Sequence, residues 1–469
     1  MHLRPYQDRA INDLRSAMQQ GARSPLLCLP TGAGKTIIFS AIAATAAARG
    51  RQVLILVHRR ELIHQASSKL QLAGVDHGVI AAGYPASNHP VQVASVQTLV
   101  RRLSRMAWTP TLVIIDEAHH AAAGSWATIL DNWPNAYRLG VTATPCRLDG
   151  RGLASAFDQL VLGPSVADLT FWGFLSPARI YAPPVLADLT GLRRRAGDYA
   201  PDQAATAMDR PTVTGDAIGH YQRLALGQRA IAFCCSVIHA EHVAASFNAA
   251  GIPAATLLGD TPNRDAVVAA FDAGSVQILV TVDVVSEGFD IPTASCAILL
   301  RPTQSLGLYL QQVGRVLRPA QGKQHAIILD HVGNVLRHGF PDDRREWTLA
   351  DGARTSSVQS APSVRTCPEC FAAFKPAPIC PCCGHQQPVP KSRIMRQVDG
   401  ELQELHRESV QQRIEERQQQ GRARTLPELL ALAKQRGYSP GWAYRIYHAR
   451  GQRRDRPAAA HPVGTRHIS

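Results

Sequence analysis

The sequence predicts an α/β protein of two tandem domains built on parallel sheets, followed by a small zinc module and a basic helical tail. Three observations carry this reading. Short continuous apolar runs, each stopped by polar residues, alternate with helical segments from Leu26 to Thr144 and again from Ile231 to Leu329, the pattern of strands buried on both faces of a sheet. Between the two series, from Pro183 to Asp216, Gly, Pro, Asp and the run Arg193-Arg194-Arg195 replace the apolar runs, which marks a connection. Beyond the second series lie two Cys-x-x-Cys pairs and a polar, basic stretch. A chain of 469 residues is also too long for one core. The expected domains are 1–165 and 216–350, joined by 166–215, with the zinc module at 360–390 and the tail at 391–469, its last residues disordered.

Composition narrows the function classes. Lys and Arg number 50 against 36 Asp and Glu, a net charge of +14, so a polyanion, nucleic acid first, is the expected partner. Apolar residues make up 45% of the chain, but no window reaches the ~18 uncharged apolar residues of a membrane span. The start, Met1-His2-Leu3-Arg4-Pro5, has no apolar signal core, which argues against secretion. Five of the ten cysteines fall between Cys367 and Cys383, and the rest are scattered. That distribution fits one metal site plus buried thiols in a reducing cytoplasm, rather than a disulfide framework.

Taken in order, the chain opens with Leu3-Arg4-Pro5-Tyr6-Gln7 and a helix with Ile11, Leu14 and Met18 on one face. The apolar run Leu26–Leu29 then leads into Pro30-Thr31-Gly32-Ala33-Gly34-Lys35-Thr36 and an Ala/Ile-rich helix from Ile37 to Ala48. Strand, tight loop and helix form the context a phosphate-binding loop needs. Glycines turn the backbone so that its N–H groups face inward, and the helix N-terminus adds partial positive charge. Lys35 would reach the β- and γ-phosphates of ATP, and the Thr36 hydroxyl would ligate Mg²⁺. Val53–Val57 ends in His58-Arg59-Arg60-Glu61-Leu62, Val91–Ala94 in Ser95-Val96-Gln97-Thr98, and Leu112–Ile115 in Asp116-Glu117-Ala118-His119. A fourth run ends in Val141-Thr142-Ala143-Thr144-Pro145. Ligands of open α/β sheets bind at that carboxyl edge. Asp116 is placed to hold Mg²⁺ and Glu117 to deprotonate the attacking water; a helix N-cap after a strand is the alternative use of the pair.

The second series runs through Ile231–Phe233, Ala254–Leu258, Ile278–Thr281, Cys296–Leu300 and Ala326–Leu329 with no second phosphate loop, so ATP is expected in a cleft between the domains. Near its end stands Gln311-Gln312-Val313-Gly314-Arg315-Val316-Leu317-Arg318. Arg315 and Arg318, three apart on a helix, share a face and can enter the cleft together, where charge grows on a transferred phosphoryl group.

From Leu3 to about Asn334 this ordered series resembles the superfamily 2 helicases of the DEAH-box type, and is most similar to the bacterial and prophage RadD-like repair group. The resemblance implies two RecA-like lobes that hydrolyse ATP and couple it to movement along DNA, favoured over RNA, in repair, recombination or replication. It accommodates Leu29 where a fuller phosphate-loop pattern has Gly. It makes Gln7 the base-recognition residue and Thr31, Gly32, Gly34, Lys35 and Thr36 the phosphate and Mg²⁺ cradle. His58–Gln65 and Ser95–Thr98 become strand contacts, and Thr142-Ala143-Thr144 the coupling motif. Glu287-Gly288-Phe289-Asp290-Ile291-Pro292 is similar to motif V, with Gly288 and Asp290 on the nucleotide side, and Gln311–Arg318 matches motif VI. Many relatives carry a phosphate-contacting Thr where Val282 stands, so that contact does not transfer. A recombination or replication protein is a further expected partner. A nucleic-acid-stimulated ATPase that remodels a partner, and a zinc-bearing binding module with a vestigial motor, are the alternatives; the intact Lys35, Asp116, Glu117, Arg315 and Arg318 speak against the latter.

In the tail, Cys367-Pro-Glu-Cys370 and Cys380-Pro-Cys-Cys383 have the spacing of a tetrahedral Zn²⁺ site with Cys367, Cys370, Cys380 and Cys383 as ligands; Cys382 and His385 are substitutes. Residues 391–469 hold 16 Lys and Arg against 8 Asp and Glu. Glu401–Gln420 reads as an exposed helix. Thr425-Leu-Pro-Glu428 opens a helix that Gly437 stops, and Ser439-Pro440 opens another with Trp442 and Ile446 on one face and Tyr444, Arg445 and His448 elsewhere, available to nucleic acid.

Overall fold

The computed structural model describes residues 2–106, 108–121, 124–147, 152–182, 194–195, 198–200, 203–204, 208–209, 211–259, 261–282, 291–350, 365–366, 373–374, 379, 384, 403–404, 419, 423 and 425–451. The first lobe contains α1 (Pro5–Gln19), β1 (Pro25–Cys28), α2 (Lys35–Ala48), β2 (Val53–Val57), α3 (Arg60–Leu72), β3 (His77–Ile80), β4 (Val91–Ser95), α4 (Val96–Arg102), β5 (Leu112–Asp116), α5 (Gly124–Asp131), β6 (Tyr137–Thr142) and β7 (Gln159–Leu162). Its seven strands run in the order β3-β4-β2-β5-β6-β1-β7, and each pair is parallel. β1, β2 and β5 are buried along their whole length, which is why their sequences are unbroken apolar runs rather than alternations. β1 lies beside β6, and β6 beside β5. The phosphate loop, Thr142–Thr144 and Asp116-Glu117 therefore emerge side by side at one carboxyl edge. Leu29 N–H donating to the Thr142 carbonyl (2.9 Å) ties the first two of these together.

A short helix, α6 (Val166–Phe171), leads to β8 (Ala178–Ala182), and β9 (Arg194–Arg195) pairs antiparallel with β10 (Asp198–Tyr199). The second lobe then holds α7 (Pro211–Leu224), β11 (Ala230–Phe233), α8 (Val237–Ala249), β12 (Ala254–Leu257), α9 (Arg264–Ala273), β13 (Ile278–Thr281), β14 (Cys296–Leu299), α10 (Leu306–Val316), β15 (Ala326–Asp330) and α11 (Asn334–His338). Its sheet order is β12-β13-β11-β14-β15-β8, with Gln403–Glu404 added beside β8 at the edge. Tyr221, Phe247, Ile278, Val280, Ile298 and Leu329 fill one side of this sheet.

Two stretches differ from expectation. The segment 166–215 is more than a connection: Ala178–Ala182 is a parallel neighbour of β15, and α7 begins at Pro211 inside it. The strand Ala-Arg-Ile-Tyr-Ala carries its charge on the exposed side and finds its parallel partner some 150 positions later, so local patterning misses it. Within Glu401–Gln420, expected to be helical, Gln403–Glu404 instead form a short strand antiparallel to β8, satisfying the backbone of an otherwise open edge.

A second unit, residues 358–394 and 406–469, is compact in itself. Its helices α12 (Leu426–Gln435) and α13 (Pro440–Gly451) enclose Leu429, Leu432, Ala433, Trp442, Ala443 and Ile446. As the sequence leads one to expect, Glu428 reaches back to the Thr425 N–H (3.0 Å) in a capping box, and Tyr444 remains exposed. The proposed zinc ligands Cys367, Cys370, Cys380 and Cys383, and the motif V residues Gly288 and Asp290, lie outside the described residues.

Candidate active site

One cavity of about 270 Å³ gathers the residues that the sequence scatters. From the first lobe it is lined by Gln7, Thr31, Gly32, Gly34, Lys35, Thr36, Asp116 and Glu117, and from the second by Arg315 and Arg318. The lobes meet tightly here. α10 presses Gly314 against the phosphate loop, where a Cβ would stand 2.5 Å from the Thr31 Cβ. A Cβ at Gly32 would lie 3.3 Å from Arg318 Cγ. The helix start is equally close, since a Cβ at Gly307 would come within 3.0 Å of Thr144 Oγ1. The phosphate loop and the Thr142–Thr144 motif of one lobe are therefore in register with one helix of the other and the residues that follow it.

The loop itself is held from behind. Gly34 sits at φ 79°, a left-handed conformation that a side chain would strain, and its missing Cβ leaves room for the Gln7 amide, which would otherwise be 2.5 Å away. Gln7 Nε2 and the Tyr6 hydroxyl both donate to the Ala33 carbonyl (3.3 and 2.8 Å). Gln7 Oε1 accepts from the Arg4 N–H (2.9 Å). Gln7 is thus buried at the cavity wall with part of its hydrogen-bonding capacity spent on the loop.

Charge is paired by sign. Burial lowers the Lys35 ammonium from its ordinary range, with Glu117 and Asp116 opposing and Arg315 adding to the depression. Burial, then the neighbouring Glu117 charge, pushes Asp116 up to about 7. Two crowded cations and two crowded carboxylates are each unfavourable alone, and a polyphosphate and a divalent ion would relieve both. The site residues therefore fit ATP and Mg²⁺, with Lys35 and the glycine loop toward phosphate and Thr36 and Asp116 toward the metal. Bound there, Mg²⁺ would neutralise charge on the transferred phosphoryl group.

Glu117 is one of two non-glycine residues with positive φ among those described, at φ 48°, a conformation of the kind that accumulates at functional sites. Its Oε2 lies 3.4 Å from His119 Nδ1, and His119 Nδ1 is also 3.2 Å from Thr142 Oγ1. The Thr142 hydroxyl donates its one proton to the Thr144 carbonyl (2.9 Å), so its oxygen accepts, and the proton of the His119–Thr142 hydrogen bond belongs on His119 Nδ1. The imidazole is hydrogen-bonded to the coupling motif, and the buried Glu117 carboxylate lies beside it at ion-pair distance, its Oε2 without a hydrogen-bond partner among the described residues. The expected strand contacts adjoin it: the His58 and His120 rings are 4.6 Å apart, and Gln97 Nε2 donates to the His58 carbonyl (2.8 Å). Thr281 is spent elsewhere, its hydroxyl donating to the Leu257 carbonyl (2.9 Å).

Sequence reasoning missed three contributors. Arg4 and Phe174 also line the cavity, with the guanidinium 4.7 Å from the ring centroid, a cation–π arrangement beside Gln7. Gln311, quoted in its motif but given no role, is buried, and neither side-chain amide atom has a hydrogen-bond partner among the described residues. A buried amide in that state costs roughly 1–3 kcal/mol; Gln311 stands behind the residues that line the cavity rather than among them. Gln311 was legible from the motif; Phe174 was not, because only the fold brings it to Arg4.

Two family models match the chain. Residues 1–147 match the type III restriction enzyme res subunit and residues 216–320 the helicase conserved C-terminal domain. A 51.5 kDa protein of a Lactococcus phage is 34% identical over 82% of this chain and 83% of its own length. IRC3 of Saccharomyces cerevisiae, named as a candidate ATP-dependent helicase, is 32% identical over 71% of this chain, which spans about half of it (51%). XPB2 of Sulfurisphaera tokodaii, named as a DNA 3'-5' translocase, is 24% identical over 68% of this chain and 79% of its own. Among solved structures, a fragment of a candidate HsdR subunit of a type I restriction enzyme from Vibrio vulnificus superposes with a TM-score of 0.59 at 22% identity, covering 73% of this chain and 67% of that one. That last likeness establishes the fold, two tandem RecA-like lobes. With a relative matched over four fifths of both chains, both lobe models and the cleft residues in agreement, the chain belongs to the superfamily 2 helicases, ATP-dependent helicases and translocases acting on nucleic acid.

Proposed function

We propose that this chain is a DEAH-box motor of the RadD-like kind that hydrolyses ATP to move along or open DNA during repair, recombination or replication in the cytoplasm. The observation that carries the proposal is the single cavity joining Lys35, Thr36, Asp116 and Glu117 to Arg315 and Arg318 of the other lobe. Glu117 takes a proton from the attacking water, Lys35 and the loop hold the phosphates, and the arginines meet the charge that develops in the transition state. DNA is favoured by the positive chain charge and by the likeness to XPB2, a DNA translocase by name; the buried thiols Cys28, Cys234 and Cys296 suit a reducing compartment. Strand displacement across forked, tailed and blunt duplexes of DNA and RNA, with ATPase followed in parallel, tests this. ATP-dependent strand separation on tailed or forked DNA is expected. Stimulated ATPase without separation on any substrate would instead assign a remodelling ATPase, and no stimulation by any nucleic acid would end the motor reading.

The proposal includes one Zn²⁺ held by Cys367, Cys370, Cys380 and Cys383. Thr366 and Ala373, which flank the first cysteine pair in sequence, are antiparallel cross-strand partners, a pairing that suits a turn carrying two ligands. Such a module depends on its metal to fold. Elemental analysis of protein purified in metal-depleted buffer is expected to find about one zinc per chain, absent when Cys367 and Cys380 are both replaced by Ser; zinc-free wild-type protein refutes the site.

A further inference from the structure

Beyond α11 the second lobe sends its chain back to the first. Gly339 turns out of the helix and Arg345 braces the turn, donating to the carbonyls of Phe340 (2.7 Å), Asp343 (2.9 Å), Pro341 (3.2 Å) and His338 (3.4 Å). The Asp343 carboxylate accepts from the Phe340 N–H (2.7 Å). The turn is fastened to the motif VI helix: the Tyr309 hydroxyl donates to the Gly339 carbonyl (3.2 Å), and the Tyr309 ring stacks on His338 at 5.4 Å. Tyr309 is fully buried in α10, two residues before Gln311 and six before Arg315.

The far end of the same segment grips the first lobe. The Leu349 carbonyl accepts from both the Leu153 and Ala154 N–H groups (2.9 and 3.0 Å). Its side chain packs on the cluster of Trp126, Leu153 and Phe157. Gly152 leaves space for this crossing, since a Cβ there would collide with the Leu349 carbonyl oxygen and stand 2.5 Å from the Ala350 carbonyl carbon. Twelve residues thus run from the end of α11, fastened through Tyr309 to the arginine-bearing helix, onto the apolar core of the other lobe.

We propose that residues 339–350 are a strap that sets where the motif VI helix stands over the phosphate loop, with Tyr309, Arg345 and Leu349 as positioning residues for hydrolysis. The inference rests on the reading of the cleft as an ATPase site. The physical argument is one of leverage. Arg315 and Arg318 act only from the right distance, and an error of about 1 Å in such a group can cost ~10²-fold in rate. A braced turn on α10 and a two-hydrogen-bond latch on the first lobe restrict how far the lobes part, while leaving the phosphate loop's own hydrogen bonds untouched.

The test uses the full chain with Gly152→Val and Leu349→Asp, and Leu349→Met as the conservative control. The readouts are kcat and KM for ATP with single-stranded DNA, trypsin cleavage after Arg344 and Arg345, and melting temperature. Both disruptive variants are expected to expose the strap to trypsin and to lose about 10- to 100-fold in kcat while KM changes by no more than about twofold. Leu349→Met should match wild type. Arg345→Gln, which loosens the turn from within the second lobe, gives the same split if Leu349→Asp does not fold. Trypsin-sensitive variants with wild-type kcat overturn the proposal, as does a parallel loss of kcat, KM and melting temperature, which marks a purely structural role. Wild-type protein without ATPase would instead fail the functional reading itself.

Discussion

Glu117→Gln is expected to bind ATP and yet turn it over at least ~10²-fold more slowly, the lower end of what a positioned general base contributes. The substitution keeps shape and burial, and removes the carboxylate charge and with it the capacity to accept a proton. The fold presents this group with care: its backbone is in the left-handed region, its N–H donates to Asp116 Oδ1 (3.0 Å), and its carboxylate faces His119. Lys35→Ala should lose more, because it removes the one ammonium among the cavity-lining residues of the phosphate loop, and with it both affinity and turnover. In the structure Lys35 Nζ rests on the Leu29 carbonyl (3.4 Å), a weak interaction that phosphate would replace. Fluorescent-nucleotide binding and steady-state ATPase on the same preparations separate the two effects. Near-normal ATPase in Glu117→Gln would remove that residue from the role of base.

The parts of this site that could be read from sequence are those whose chemistry is local. Lys35 and Thr36 follow a strand and open a helix within one short stretch, and Asp116-Glu117 end a run of buried residues. Each announces itself through neighbours in the chain. Arg315 and Arg318 were readable for the same reason, through helical spacing, although their proximity to Thr31 and Gly32 was only inferred from the missing second phosphate loop. What escaped was made by distant pairing. β8 becomes a strand by lying beside β15, and Phe174 becomes a cavity wall by lying under Arg4. Leu349, in a short stretch without strand or helix periodicity, acquires meaning only from the Leu153 and Ala154 amides. No periodicity distinguishes such residues from ordinary connections. Local rules find elements and their ends, and tertiary packing decides which connections join one lobe to the other.

The second large effect divides stimulation from affinity. Arg318→Ala is expected to keep the affinity for DNA while losing most of the DNA-stimulated ATPase, and a chain ending at Arg354 is expected to do the opposite. The reasoning starts from where each charge sits. Arg318 lines the nucleotide cavity and lies against Gly32, so its charge is aimed at phosphate in the cleft, where an arginine supplied on closure is worth ~10³ to 10⁵ in related phosphoryl transfers. A DNA strand crossing both lobes favours closure and brings that group to bear. Residues 391–469, by contrast, carry 16 Lys and Arg against 8 Asp and Glu, and such charges act through counterion release, strengthening binding without altering the chemistry. The shortened chain keeps the strap and every cavity residue, and among the described residues of the motor unit gives up Gln403–Glu404 at the sheet edge. It should therefore need more DNA and show a shallower salt dependence, by ~0.7 in log–log slope for each single-strand phosphate that the tail no longer neutralises, yet reach the same maximal ATPase. Titrating DNA against ATPase at several fixed salt concentrations measures both quantities for each protein. A folded chain ending at Arg354 that stays unstimulated at every DNA concentration would make the tail part of the motor, and Arg318→Ala with a full stimulated rate would take motif VI out of the coupling.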